Sequence, residues 1–276
     1  EEAPRNDSLL PKEERKMRPS PTRLRPWDAA LFRGETETVF GSVAAAVAET
    51  GCVTKKELLE NWQCAEAVYE AFFTNERLAP AAVVDVAAGH GLLSWMLLAL
   101  CWSKHRRRTL AFAVDRRKPH SAASLRDAFS RRFPSLRPRH RYVVADAASL
   151  RGGSNALFVA LHGCGGVTDD VLRVAADARA PVACVPCCHT RKNTPKGVVG
   201  SDLADGIDAQ RAAFLADAGY DVERVPHFIS AEVTPKNAAI LGRPRLQRGL
   251  SEGSLLLTTT ALPPPPAIWR TYLSPS

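Results

Sequence analysis

From residue 81 onward, short apolar runs alternate with stretches of helical periodicity. The runs Ala82–Val86, Thr109–Val114, Arg141–Ala145, Ala156–Leu161, Pro181–Val185 and Asp221–Val225 have the length and composition of strands. Ala156–Leu161 is apolar throughout, as a strand covered on both faces should be. Between them lie helical patterns at Leu92–Ser103, at Ser121–Phe133 with Leu125 and Phe129 at i, i+4, and at Ile207–Ala218 with Phe214, Leu215 and Ala218 on its apolar side. Thr168 is placed to cap a further helix, with Asp169 and Asp170 in a first turn that favours negative charge. Gly219 stands where a C-terminal cap glycine belongs. This alternation predicts an α/β protein: a mostly parallel, doubly wound sheet with helices on both faces and right-handed crossovers. The seventh strand is expected at Ala238–Gly242. Ser254–Thr260 would require a long structureless connection.

Ahead of the sheet the pattern changes. Residues 1–34 are charged and rich in proline and predict a disordered or extended tail. Thr38–Glu49 is alanine-rich and helical. In Thr54–Asn75 the positions Leu58, Trp62, Ala65, Tyr69 and Phe72 recur in steps of three and four, one apolar helix face. The expected organisation is a tail (1–34), a helical extension (35–80) packed on an α/β domain (81–245), and a C-terminal tail (246–276) marked by Pro263–Pro266.

In this 276-residue chain no run of eighteen apolar residues predicts a membrane span, and Leu92–Trp102 fits a buried helix. The seven cysteines, spread over Cys52–Cys188, are odd in number in a domain large enough to need no staples. They predict free thiols in a reducing intracellular compartment. The chain opens on Glu, which is compatible with a trimmed targeting peptide. The formal charge of +8 is concentrated. Residues 101–141 hold thirteen Lys and Arg against Asp115 and Asp127, a net +11. Such a field attracts a phosphate backbone, so RNA is the expected partner, and a solvated arginine-rich face is the alternative.

The densest candidate chemistry follows the first strand. Asp85 ends an apolar run, and Ala87-Ala88-Gly89-His90-Gly91 leads into a helix. Glycines there allow close approach of backbone to a ligand, and the helix N-terminus turns free N–H groups to the same place. Asp115, twenty-four residues beyond Gly91, closes the second strand, where a carboxylate can accept both hydroxyls of a ribose. Asp146 lies just after the third strand, where it can receive an exocyclic amino group. A dinucleotide site is the competing reading of Gly89-His90-Gly91-Leu92-Leu93-Ser94, but the third glycine is missing.

Over about residues 55–244 the chain resembles the class I S-adenosylmethionine-dependent methyltransferases, which implies a Rossmann-like seven-stranded methyltransferase fold. Asp85-Val86-Ala87-Ala88-Gly89-His90-Gly91 stands where that family has an acid and a Gly-x-Gly-x-Gly-like loop, with Ala87 in place of the first glycine. The resemblance implies Asp85 near the methionine amino group. It puts Ala87, Gly89 and Gly91 against the methionine–adenosine part, Asp115 on the ribose, and Asp146 with Ala147 at the adenine. Leu161-His162-Gly163-Cys164-Gly165, Pro186-Cys187-Cys188-His189 and Thr234-Pro235-Lys236-Asn237 look like a subgroup of methyltransferase-domain proteins related to the Trm-thirteen-type tRNA 2′-O-methyltransferases. The implied function is methyl transfer to RNA. A catalytically silent RNA-binding or scaffold protein and a nicotinamide-dependent oxidoreductase are the alternatives.

His162 and Cys164 follow the fourth strand, and Cys187, Cys188 and His189 follow the fifth, so these groups can converge at the ligand edge. In one reading His162, placed also at the cofactor, orients the acceptor and takes its proton. In a second, Cys187 is a nucleophile assisted by His189 or Arg191. In a third, Cys184, Cys187, Cys188, His189, His162 and Cys164 offer metal ligands, although Cys184-x-x-Cys187 lacks a second separated pair and no metal is expected. The remaining reading is that cysteines merely fill a tight strand-end region.

Overall fold

The computed structural model describes residues 22–35, 38–189 and 203–245. Arg191, the segment Ser254–Thr260 and Pro263–Pro266 lie outside the described residues.

Two capped helices come first. In α1 (Val39–Thr50) the Thr38 hydroxyl accepts from the Gly41 amide, and Gly51 closes the helix in the left-handed region. Helix α2 (Lys55–Phe72) starts with a reciprocal capping box. The Glu57 amide donates to Thr54 Oγ1 at 3.1 Å, and the Thr54 amide donates to Glu57 Oε2 at 2.8 Å. There follow β1 (Ala82–Val86), α3 (Leu92–His105), β2 (Leu110–Asp115), α4 (His120–Arg132), β3 (His140–Val144), β4 (Ala156–Leu161), α5 (Val167–Ala178), β5 (Val182–Val185), α6 (Leu203–Asp217), β6 (Tyr220–Val225) and β7 (Ala239–Pro244).

These strands form the expected seven-stranded sheet, in the order β3-β2-β1-β4-β5-β7-β6. All neighbours are parallel except that β7 runs antiparallel to both β5 and β6. The period-two alternation of strands divides the core in two. Leu157 and Val159 of β4, Ala183 and Val185 of β5, and Leu241 of β7 join α1–α4. Phe158, Ala160, Val182, Cys184 and Ile240 join α5 and α6 on the other face.

Three local expectations are corrected. Residues 22–34 do not behave as a tail: Arg23 bridges Thr54, Pro26–Glu35 is a 3₁₀ stretch, and Leu24 and Phe32 are buried in the larger core. Two apolar side chains in a polar segment suffice to anchor it. Thr168 is not a cap. Gly166 holds the N-cap position of α5, and the buried Thr168 hydroxyl donates to the Gly163 carbonyl from inside the first turn. On α6 the buried face runs through Ile207, Arg211 and Leu215, spaced by four, and Phe214 is 44% exposed because it is about 100° off that line. Among the described residues no helix is long and apolar enough to cross a membrane.

Helix α2 carries polar residues to the ligand edge, as shown below, so its cap has a functional consequence. Thr54→Ala should lower unfolding free energy by about 1 kcal/mol. Urea titration of both proteins measures this through the shift in midpoint at constant slope.

Candidate functional site

The chain reverses its winding between β1 and β4. One set of crossovers leads from β1 to β2 and β3, the other from β4 to β5. A crevice therefore opens beyond the carboxyl ends of these two strands. Asp85, on β1, is buried there and accepts the Ser94 amide at 3.1 Å. That amide belongs to the first turn of α3, so the carboxylate caps a helix whose own N-cap, Gly91, has no side chain. Burial, partly opposed by hydrogen bonds from Ser94, pushes the Asp85 carboxyl up to about 7. No ion pair is made to it among the described residues.

The intervening loop is held in left-handed backbone. Ala87, Gly89 and Gly91 have φ of 57°, 52° and 79°. Gly91 is doubly required, because a Cβ there would stand 3.0 Å from Ala113 Cβ. Ala87 accepts a strain of roughly 1–2 kcal/mol that glycine would avoid. The loop is pinned from the second and third strands: Asp115 Oδ2 accepts the Gly89 amide at 3.0 Å, and the Tyr142 hydroxyl of β3 donates to the Gly89 carbonyl at 2.7 Å. Beneath it, His140 stacks on Trp95 with centroids 3.9 Å apart and meets Ser94 Oγ at 3.0 Å. Burial, with a contribution from the Lys118 charge, pushes the His140 imidazole down to about 3, so it is a neutral structural group.

Two cavities meet at Ala87. The smaller, about 90 Å³, has apolar walls from Val86, Val114, Ala147 and Val167, with Asp115 and Arg116 at its polar side. The larger, about 210 Å³, is bounded by Asp85, the Ala87–His90 loop, Leu161 and His162, and on its far side by Glu57, Glu60 and Asn61 of α2. Asp146 lines neither cavity. It is an exposed carboxylate that pairs with Arg116 Nε at 2.8 Å and accepts the Ala148 amide, which with the Arg116 charge holds it below the ordinary range. The neighbouring Ala147 does reach the smaller cavity.

His162 occupies the first position after β4 with φ of 58°, unusual for a residue with a Cβ. Its amide donates to the Val185 carbonyl, which ties the loop to β5. Nε2 lies 3.4 Å from Glu60 Oε1, and the buried Nδ1 has no hydrogen-bond partner among the described residues. Glu60 is 4% exposed. Burial alone would raise its carboxyl, but hydrogen bonds from His162, Lys56 and Thr234 and the Lys56 charge outweigh that and hold it below the ordinary glutamate range. An ionised Glu60 selects the tautomer with hydrogen on Nε2 and leaves a lone pair on Nδ1. Glu60 was not visible as a site residue in the sequence. The stripe Glu57, Glu60, Asn61 sits beside the apolar face of α2 and reads as a solvated edge. Only the packing of α2 across the crevice turns it inward.

The groups after β4 and β5 converge only in part. Cys164, Cys187 and Cys188 come together with sulfur separations of 3.3–3.4 Å. Cys184 instead points into the opposite core, and its burial raises its thiol to about 12. Burial and the neighbouring thiols push the Cys187 thiol far up, the reverse of what a nucleophile needs. His189 is not its partner: Nε2 pairs with Asp208 Oδ2 at 3.0 Å, in a chain that continues through the buried Arg211 to Asp169 and joins α6 to α5. His90 bonds Ser121 and lines the larger cavity, and Asn237 bonds His227 Nδ1 at 3.1 Å.

A family model described as "Methyltransferase domain" matches residues 56–194, from the start of α2 to beyond the Pro186–His189 element. No curated protein matches the chain. Among solved structures, magnesium protoporphyrin IX methyltransferase from Synechocystis with bound SAH is 15% identical, covering 68% of this chain and 86% of that one at a TM-score of 0.43. The mitomycin 7-O-methyltransferase MmcR is 15% identical, covering 80% and 61% at 0.41. Human N-acetylserotonin methyltransferase in complex with SAM is 12% identical, covering 79% and 59% at 0.40. The chain thus spans about three fifths of the last two.

The raised Asp85 carboxyl fixes the sign of a pH effect. Its folded value is about 7 and the unfolded value about 3.9. The folded state therefore holds the extra proton between them, and stability falls as pH rises through that window. Between pH 5 and 8 Asp85 should account for a loss of roughly 2–3 kcal/mol that Asp85→Asn does not show. Urea midpoints for both proteins at the two pH values test it, and parallel losses would contradict it.

Proposed function

The chain belongs to the methyltransferase-domain family, and we propose that it transfers methyl from S-adenosylmethionine, that its acceptor is RNA and that His162, oriented by Glu60, receives the acceptor's proton. Family membership weighs against the nicotinamide-dependent alternative, and the intact Asp85, Gly89, Gly91 and Asp115 weigh against the catalytically silent one.

The residues present suit the cofactor. Asp85 is a buried carboxyl facing a cavity with no cation of its own, a place completed by an ammonium group. Ala87 and Gly89 line the larger cavity beside a helix N-terminus, with open space where a Cβ on Gly89 would stand, whereas Gly91 packs against Ala113 and lines neither cavity. Asp115 stands at the polar side of a slot whose Val86, Val114, Ala147 and Val167 walls suit a flat ring. In this assignment Asp146 acts through Arg116, which it holds beside that slot. When bound, the cofactor supplies an electrophilic methyl group on a sulfonium. The protein's task is then alignment and proton removal. His162, in the wall of the larger cavity, takes the proton of a hydroxyl acceptor, while Glu60, 3.4 Å from its Nε2, orients the ring. The resemblance to tRNA 2′-O-methyltransferases makes a ribose hydroxyl the favoured acceptor.

The observation that carries RNA is the position of the basic segment. Arg116, Arg117 and Lys118 follow β2 directly beside Asp115, and Arg141 is exposed on the edge strand β3. Some of the thirteen cations are engaged in surface pairs away from the slot, Arg126 with Asp127 and Arg131 with Glu49. Surface pairs of this kind contribute little and exchange readily for phosphates.

Transfer of labelled methyl from S-adenosylmethionine to RNA, followed by nucleoside analysis, should yield 2′-O-methylated nucleosides. His162→Ala should reduce turnover by about 10²–10⁴-fold with cofactor affinity unchanged. Label entering only protein or small molecules would overturn the RNA assignment. Full turnover in His162→Ala would overturn the role of the histidine.

A further inference from the structure

Three thiols close the gap between the loops that follow β4 and β5. Cys164 comes from the first, and Cys187 and Cys188 from the second. Their Sγ atoms form a nearly equilateral triangle with edges of 3.3, 3.4 and 3.4 Å. Parallel pairing sets this placement. Leu161 stands opposite Val185, and the His162 amide donates to the Val185 carbonyl at 2.9 Å, so the two loops leave the sheet side by side. Adjacent residues in extended backbone send their side chains to opposite sides. Cys187 and Cys188 instead both meet Cys164, which requires the backbone between them to depart from the extended form.

We propose that Cys164, Cys187 and Cys188 are the ligands of a zinc(II) ion. The proposal is independent of the acceptor assigned above. A zinc–sulfur bond of about 2.3 Å in tetrahedral geometry spaces sulfurs by about 3.8 Å, so small side-chain rotations admit the ion. A disulfide would draw one pair together and leave the third thiol apart, whereas three equal edges form one face of a tetrahedron. Soft thiolates select a thiophilic d¹⁰ ion over magnesium or calcium. Each thiol releases its proton to solvent as the ion binds. Cys164 is exposed, which leaves the fourth position open to water or an added ligand. Bound there, the ion fixes the loop that begins with His162, two residues before its first ligand.

Metal analysis of the full chain, purified with reductant and dialysed against metal-free buffer containing one equivalent of zinc, should find one zinc per chain. Cobalt(II) in its place should show visible bands of tetrahedral coordination and a thiolate charge-transfer band. Cys164→Ser, at an exposed position, should weaken zinc binding by more than the about 10–100-fold that loss of an outer-shell partner costs. Cys52→Ser, in a cysteine outside the cluster, should retain full binding. Circular dichroism on each variant establishes that the fold is kept, and Cys187→Ser provides a second ligand deletion if Cys164→Ser unfolds. Absence of zinc from the reduced wild-type protein, or equal zinc in wild type and in both ligand variants, would overturn the proposal.

Discussion

The ligand edge depends on one buried hydrogen bond, from the Ser94 amide to the Asp85 carboxylate. It joins the end of β1 to the first turn of α3. The five residues between Val86 and α3 can then close only through left-handed backbone, as Ala87, Gly89 and Gly91 show. The Ser94 hydroxyl carries the same fixation to His140 on the edge strand. A carboxylate buried without a cation is costly, and its raised proton affinity expresses that cost. Strain of this kind concentrates where a ligand is to complete the electrostatics. Asp85 is therefore the structural keystone of the loop, and a cation placed beside it would lower its proton affinity.

The far wall of the crevice comes from α2, a helix whose apolar stripe joins the core shared with β1 and β4. That core admits no boundary between helical extension and sheet domain, and the matched family region begins with this helix. Through Glu60, α2 also reaches His162, while Thr234 approaches the same carboxylate from the segment before β7. Three stretches remote in sequence thus converge on one anion. The amide of Ser230, bonded to Gln63 on α2, holds the last of these in place.

β4 and β5 are legible in the sequence because burial on both faces leaves uninterrupted apolar runs, and the observed bounds of β1 and β4 are those the sequence predicts. The placement of Asp85, the glycine loop and Asp115 followed from strand ends alone. Glu60 was hidden because helical periodicity distinguishes a buried stripe from a polar one but does not reveal a second surface facing the polar one. His189 carried the same ambiguity: only the fold shows that Asp208 and Arg211 engage it. Likewise Cys184 and Cys187 have the spacing of ligand pairs, yet a strand sends Cys184 to the other core and brings Cys164 in its stead.

A cationic amino group bound in the cavity around Asp85 would displace the proton from its carboxyl. Calorimetric titration with S-adenosylhomocysteine in buffers of different ionisation enthalpy tests it most directly. Binding at pH 6–7 should release a proton from Asp85, and affinity should rise by up to about tenfold per pH unit below pH 7 and level off above it. Absence of binding, or an affinity flat across this range with no proton released, would contradict the account.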